Sequence, residues 1–220
     1  MGIAEDLAGR VPTGKRAEEG EIVKDYRDLS GITWSASMAV WAFMAVNLLF
    51  SAGDFYQQNL AAEPPVPGQV GPVEYLALLY ILILVVTIIL VGRCIYRASR
   101  NAHALASDLT ITPGWAVGWF FVPFANLVRP FQAMKETWLA SHYGSGHGHA
   151  APALLSVWWG LWLLSAFIGQ ASFRIKDAPL AASFDLASGI IGIPLCIALV
   201  MIFRGVTTAQ RQAAGQLAFA

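Results

Sequence analysis

The sequence predicts an all-α membrane protein with four transmembrane helices. A re-entrant or interfacial aromatic hairpin and an amphipathic helix are expected between helices two and three. Three observations support this. The chain is 56% hydrophobic and 13% charged, whereas soluble domains carry about 25% charged residues. Four apolar runs are long enough to cross a bilayer. A further aromatic run is interrupted by Pro123 before it reaches that length.

The four apolar runs define the predicted spans. Each has about 20 residues or more, which at 1.5 Å per residue crosses about 30 Å of hydrocarbon. The spans are 32–53, 73–92, 153–173 and 180–203. The aromatic run 115–128 has only 14 residues, and Pro123 removes a helical hydrogen bond inside it. We therefore predict that segment 113–142 is re-entrant or interfacial.

Two prolines divide the segment between the second and third spans. Thr112 and Pro113 have the pattern of an N-cap followed by proline at the first helical position. Pro130 can open a second helix, whose large apolar residues recur at helical spacing. These residues are Phe131, Met134 and Trp138. The pattern predicts an amphipathic helix that lies in the membrane interface.

The distribution of Lys and Arg decides the orientation. With four spans and both termini in the cytoplasm, twelve of the fourteen basic residues lie inside, and only Arg174 and Lys176 lie outside. A fifth span at 115–128 would leave ten inside, so the positive-inside rule favours four spans. We expect a multi-pass protein of the bacterial inner membrane. Its transmembrane domain is 31–205, flanked by a charged cytoplasmic tail, 1–30, and a cytoplasmic C-terminal tail, 206–220.

A basic face follows the second span. Arg93, Arg97 and Asn101 are spaced i, i+4, i+8 and share one helix face, with Arg100 beside them. In one explanation the arginines contact lipid phosphates at the inner surface. In the other, Arg97 and Asn101 hydrogen-bond the broken backbone of the hairpin, because non-helical backbone at membrane depth needs polar partners. Both explanations stay open at the level of sequence.

Two polar residues fall inside predicted spans at similar depth. Asp185 lies five residues into the last span, and Asn47 lies six residues from the outer end of the first. A carboxylate in the membrane is costly and is usually functional or paired. We expect a small polar cluster around Asn47 and Asp185. Its commoner role is a structural hydrogen bond between the first and last spans.

Other chemistry is not indicated by the sequence. His147 and His149 lie in a glycine-rich loop without the further ligands that a tetrahedral metal site needs. Cys94 and Cys196 fall in apolar segments and are expected to pack there. No catalytic, cofactor or metal site is predicted, and the formal net charge of zero gives no reason to expect nucleic-acid binding.

The central run resembles a known family. The residues that carry the resemblance are Arg97, Asn101, Ala102, Leu105, Pro113, Trp115, Trp119, Phe120, Pro123, Asn126, Leu127, Pro130, Glu136, Trp138 and Ser141. They are similar to the signature of the bacterial domain of unknown function 4328. The resemblance implies a four-helix membrane domain, and it offers no catalytic residues to carry over.

Two functions are compatible with these features. The first is a non-catalytic accessory or interaction subunit, with membrane lipids and a larger membrane complex as partners. It follows from the missing catalytic chemistry and the short soluble parts. The alternative is a lipid- or small-molecule-binding or permeation protein that uses region 93–141.

Overall fold

The computed structural model describes residues 26–61, 71–144 and 149–218. Within these ranges the chain forms α-helices and short 3-10 turns and no strand, which confirms the all-α class. The helices are α1 (Ser30–Asn59), α2 (Pro72–Leu105), α3 (Pro113–Gly118), α4 (Arg129–Tyr143), α5 (Ala153–Ser172) and α6 (Ala178–Ala218). Two 3-10 turns, Trp119–Phe121 and Ala125–Leu127, connect α3 to α4.

Four of these helices are long and apolar enough to cross a membrane, as the sequence predicts. They are α1, α2, α5 and α6. The apolar stretch of α2 has the highest mean hydropathy of the four, 2.9, and only 6% of it is buried inside the protein. Most of this stretch therefore faces the surroundings, where an apolar surface is stable against lipid.

The four long helices form an antiparallel bundle in which α1 packs on α2 and α6, and α5 packs on α6. At one end, the Thr33 hydroxyl lies 2.7 Å from the Thr207 hydroxyl and 3.7 Å from the Cys94 thiol. At the other end, the Asn59 side chain donates to the Pro179 carbonyl at 3.2 Å. The start of α1 and the ends of α2 and α6 thus share one end of the bundle. We call this end the hairpin face.

Two of the helices continue past the predicted spans. With 34 and 41 residues, α2 and α6 extend about 50 and 60 Å at 1.5 Å per residue. Val206 and Gln210, within the predicted C-terminal tail, are helical and buried in the packed bundle. Of the predicted N-terminal tail, residues 1–25 lie outside the described residues.

The segment between α2 and α4 folds back as a hairpin. Its turn is centred on Phe124, which has φ 61° and ψ −41°, and the Ala125 N–H donates to the Pro123 carbonyl at 2.7 Å. An i to i+2 hydrogen bond around a residue with positive φ is a γ-turn of the rare, strained kind. The Phe124 side chain at the tip is 86% exposed, so its ring makes little contact with the described part of the protein.

The amphipathic helix α4 packs its apolar side chains against protein. Met134 is buried in the main apolar core, and Phe131 and Trp138 pack against the same core. The apolar face of α4 therefore covers the end of the bundle rather than lying against lipid. The structural reason is that α2 and α6 project far enough to give this face a protein surface.

Candidate functional site

A basic groove lies on the hairpin face beside α2. It has a volume of about 530 Å³ and is lined by four arginines, Arg27, Arg93, Arg97 and Arg100, together with Tyr96. Three of the arginines come from one face of α2, and Arg27 comes from the segment that leads into α1. We call this site the arginine groove. It brings together three of the four predicted residues of the basic face and adds Arg27.

The arginines of this groove have no acidic neighbour in its lining, as far as the structure describes the chain. Among the residues that the structure describes, none of the four guanidinium groups makes a hydrogen bond or an ion pair, and no acidic side chain lines the groove. Asp28, which follows Arg27, instead accepts hydrogen bonds from the backbone N–H and the hydroxyl of Ser30. The Ser30 hydroxyl is the main reason that the pKa of Asp28 is lowered. Among the described lining residues, therefore, no acidic side chain compensates the positive charge of the groove.

The opposite wall of the groove is apolar. Ile88 and Ile89 from α2 meet Val117 and Phe121 from the hairpin along this wall. A second, almost entirely apolar cavity of about 280 Å³ adjoins the groove and shares four of its lining residues, which are Ile88, Gly92, Val117 and Phe121. We call this cavity the apolar slot. It extends between α2 and the hairpin to Trp162 of α5.

Asn101 does not support the hairpin, contrary to one explanation given above. Its side-chain carbonyl accepts from the Arg27 N–H at 3.3 Å, and its amide donates to the Arg27 carbonyl at 2.8 Å and to the Gln210 side chain at 3.0 Å. Both of its N–H groups are therefore used elsewhere. The side chain is turned toward the bundle axis, where it fixes the backbone of Arg27 at the edge of the groove.

Gln210 extends the same network and was missed by the sequence analysis. Its amide donates to the Ala98 carbonyl at 2.9 Å and to the Ser141 hydroxyl at 2.8 Å. Asn101 and Gln210 are 1% and 0% exposed, so each buried polar group depends on its partner. The network joins α2, α4 and α6 to the segment before α1. The helical repeat of α6, continued past the predicted span, was the available sign that Gln210 points inward.

The hairpin backbone has other partners. The Trp159 indole N–H donates to the Leu127 carbonyl at 3.0 Å. The Glu136 carboxylate accepts from the backbone N–H groups of Thr110 and Ile111 at 3.1 and 3.0 Å, and it also accepts from the Thr110 hydroxyl. These bonds provide the support that exposed carbonyl and N–H groups need at membrane depth. Neither role was predicted from the sequence.

The predicted intramembrane cluster lies near the opposite end of the bundle. Asn47 faces Gly189, where a Cβ atom would lie 3.3 Å from the Asn47 amide nitrogen. Asp185 lies one turn earlier on α6, beside the Ser172 hydroxyl and within electrostatic range of Asp54. No hydrogen bond joins Asn47 to Asp185 among the described residues. Interhelical hydrogen bonds in this region join α5 to α6: the hydroxyl oxygens of Ser165 and Ser188 are 3.0 Å apart, and the Ser172 hydroxyl donates to the Ala181 carbonyl at 3.2 Å.

Metal chemistry receives no support from the described part of the chain, which contains no group of three or more His, Cys, Asp or Glu side chains placed to hold an ion. His147 lies outside the described residues. The ring of His149 stacks on that of Tyr143 with centroids 3.9 Å apart.

A family model matches residues 70–214, about two thirds of the chain, and its description is a domain of unknown function, DUF4328. The chain belongs to the DUF4328 family. The DUF4328 match includes α2, the hairpin, α4, α5 and most of α6, and therefore all of the apolar slot. Arg27 and α1 precede it. No curated protein and no solved structure matches the chain.

The DUF4328 region therefore contributes three arginines of the groove and the entire slot. An open groove with free guanidinium groups can bind phosphate or carboxylate oxygens through charge-assisted hydrogen bonds. The adjoining slot can bury an alkyl chain. Together they provide two halves of a site for an amphiphile with an anionic head.

Proposed function

We propose that this protein is a non-catalytic membrane protein that binds an anionic lipid or lipid-like molecule in the arginine groove. The observation that carries the proposal is a set of four arginines, with no acidic side chain in the described lining around them, at the mouth of an apolar slot. Basic residues near a membrane surface attract anionic lipids by about 1 kcal/mol each. A bound phosphate group would also supply the hydrogen-bond acceptors that these guanidinium groups lack within the described part of the chain.

The shape of the site supports a defined ligand over a diffuse lipid layer. The Arg27 backbone is held by two hydrogen bonds to Asn101, which fixes where its side chain leaves the edge of the groove. A groove with one fixed side costs less conformational entropy on binding than free surface side chains do. The hairpin closes the apolar side through Val117 and Phe121.

The proposal is tested by lipid retention during purification. The variant in which Arg93, Arg97 and Arg100 are all changed to Gln is purified from membranes in a mild detergent, and its bound lipids are measured by mass spectrometry. At about fivefold in affinity per arginine, the loss of three should reduce retention of anionic lipid by about a hundredfold. Zwitterionic lipid should be retained equally by both proteins.

Arg204→Gln is the matched control. Arg204 is exposed on α6 one turn from Thr207, which lies at the same level as Cys94 and Arg93. The Arg204→Gln substitution therefore removes one positive charge at the same level of the bundle as Arg93 but outside the groove. Equal loss of anionic lipid from Arg204→Gln and from the single variant Arg97→Gln would show general surface attraction and would contradict a defined site.

The role of accessory subunit in a larger membrane complex stays a prediction. The lipid-facing stretch of α2, only 6% buried, is compatible with a partner helix as well as with lipid. Co-purification in mild detergent tests for such a partner, and a protein that purifies alone would contradict the accessory role.

We further propose, from the distribution of basic residues, that the hairpin face is on the cytoplasmic side of a bacterial inner membrane.

A further inference from the structure

The charge of the groove restricts the head group of its ligand. Four guanidinium groups line it, and no acidic side chain among the described lining residues offsets them. A phosphodiester head carries one negative charge, so it would leave most of this positive charge uncompensated. Like charges held close at a membrane surface repel more strongly than in bulk water, because the surroundings have a lower dielectric constant. A head with two or more negative charges is the better match.

The apolar slot restricts the tail. Its volume of about 280 Å³ is just below the range of about 300–1,000 Å³ that is usual for ligand sites. It meets the groove at one neck, where Gly92 of α2 faces Val117 of the hairpin and a Cβ atom on Gly92 would lie 3.4 Å from the valine side chain. A cavity of this volume beside the basic groove has room for a single chain.

We propose that the ligand is a single-chain lipid whose head is a phosphomonoester or diphosphate, with its chain in the apolar slot. This inference rests on the proposed function and makes it more specific. The phosphate oxygens would contact Arg27 from one side and Arg93, Arg97 and Arg100 from the other. The first part of the chain would pass Gly92 to reach Phe120 and Trp162.

The test is native mass spectrometry of the full chain in a neutral detergent, with four probes at matched concentrations. Farnesyl diphosphate has both required features. Lysophosphatidylglycerol has one chain and a single negative charge, dioleoylphosphatidylglycerol has two chains and a single charge, and inorganic pyrophosphate has no chain. We expect farnesyl diphosphate to bind at least about tenfold tighter than either glycerolipid. Its head carries more negative charge and can accept more hydrogen bonds from the arginines, and hydrogen bonds between charged groups are stronger than neutral ones. Pyrophosphate should bind more weakly than farnesyl diphosphate.

The outcomes separate this inference from the proposed function. If the glycerolipids bind as tightly as farnesyl diphosphate, the head-group inference is overturned and anionic-lipid binding stands. If pyrophosphate binds as tightly as farnesyl diphosphate, the slot has no role and free phosphate is the ligand. If none of the four probes binds, both proposals fall.

One substitution tests the slot by itself. Ile88 is 45% exposed and lines both cavities, so Ile88→Trp should fill the neck without disturbing the core. It should weaken farnesyl diphosphate binding and leave pyrophosphate binding unchanged. Ile81→Trp is the control, because Ile81 is exposed on the same helix and lines neither cavity. Equal effects of the two substitutions would overturn the placement of the chain.

Discussion

The side-chain amide of Asn101 uses its oxygen and both of its N–H groups at once. Two of these bonds are to the backbone of Arg27, and the third is to Gln210. Asn101 and Gln210 are buried and the Arg27 backbone is part-buried, so removing the amide leaves donors and acceptors with little water to replace it. Each unsatisfied group costs about 1–3 kcal/mol, so this single residue has a large effect on the bundle end.

We predict that Asn101→Ala lowers the free energy of unfolding by about 3 kcal/mol, since it leaves Arg27 and Gln210 unsatisfied. Unfolding in mixed detergent micelles measures the change. The double variant with Gln210→Ala should lose less than the sum of the two single losses, because the two residues share a hydrogen bond. Arg100→Ala, on the exposed side of α2, should have little effect. Additive losses would show that the two side chains act independently.

Phe124 has an unusual backbone for a residue with a side chain. Positive φ in a γ-turn costs roughly 1–3 kcal/mol for a residue other than glycine. Its ring is 86% exposed to the surroundings, so strain and side-chain contacts can be separated by comparing two substitutions.

We predict that Phe124→Gly unfolds at a higher temperature than Phe124→Ala. Both substitutions remove the ring, but only glycine adopts the positive φ without strain. The expected difference in the free energy of unfolding is about 1 kcal/mol or more. Thermal unfolding of the two variants in the same detergent measures the difference. An alanine variant that equals or exceeds the glycine variant in stability would contradict the strained turn.

At the scale of elements, the docking of α4 depends on one glycine of α6. A Cβ atom at Gly205 would lie 2.6 Å from the Trp138 indole. That indole is itself stacked on His142 with ring centroids 4.1 Å apart. The Trp138 ring is rigid and has His142 behind it, so it cannot move aside easily. Helices α4 and α6 can therefore approach this closely only because residue 205 has no side chain.

We predict that Gly205→Ala destabilises the protein by about 1–3 kcal/mol through overpacking. Gly192→Ala on the same helix is the control, because no atom lies within 4 Å of its Cβ position, and alanine there gains helix propensity of up to about 1 kcal/mol. Unfolding measurements on both variants, and on Gly205→Ala combined with Trp138→Phe, test this contact. Similar stability of the two single variants would contradict it.

The elements were predictable from sequence to different degrees. The four long helices follow from run length and hydropathy, and the break at Pro123 follows from its missing N–H. The placement of α4 was not predictable, because an amphipathic face has the same pattern whether it meets lipid or protein. Likewise, the spacing of Arg97 and Asn101 shows that they share a face but not what that face contacts. The partners of Asn101 come from positions 27 and 210, which only the folded bundle brings together.

At the scale of the whole molecule, the segment before α1, the hairpin, α4 and the end of α6 assemble at one end of the bundle. This end carries the arginine groove, whereas the opposite end carries Asp54 and Asp185. The basic residues of the arginine groove thus lie at the end where these four parts of the chain meet. By the positive-inside rule this end is expected in the cytoplasm.

We predict that Phe173→Cys reacts with a membrane-impermeant maleimide in cells whose outer membrane has been made permeable, and that Arg211→Cys reacts only after the inner membrane is broken. Phe173 is 87% exposed in the turn between α5 and α6, and Arg211 is exposed near the end of α6. The unsubstituted chain is the control, because Cys94 and Cys196 are buried. The reverse order of labelling would place the hairpin face outside.

The exposed wall of the arginine groove also has a consequence for how binding is measured. Ile88, Ile89 and Phe121 lie at its rim and are 45%, 54% and 67% exposed, on the side of α2 that faces the bilayer. A molecule that is already dissolved in the membrane can therefore reach the site by lateral diffusion, without crossing water. Occupancy then follows the mole fraction of that molecule in the bilayer rather than its total concentration. Diluting the membrane with neutral lipid should empty the site even when the amounts of protein and ligand in the tube are unchanged.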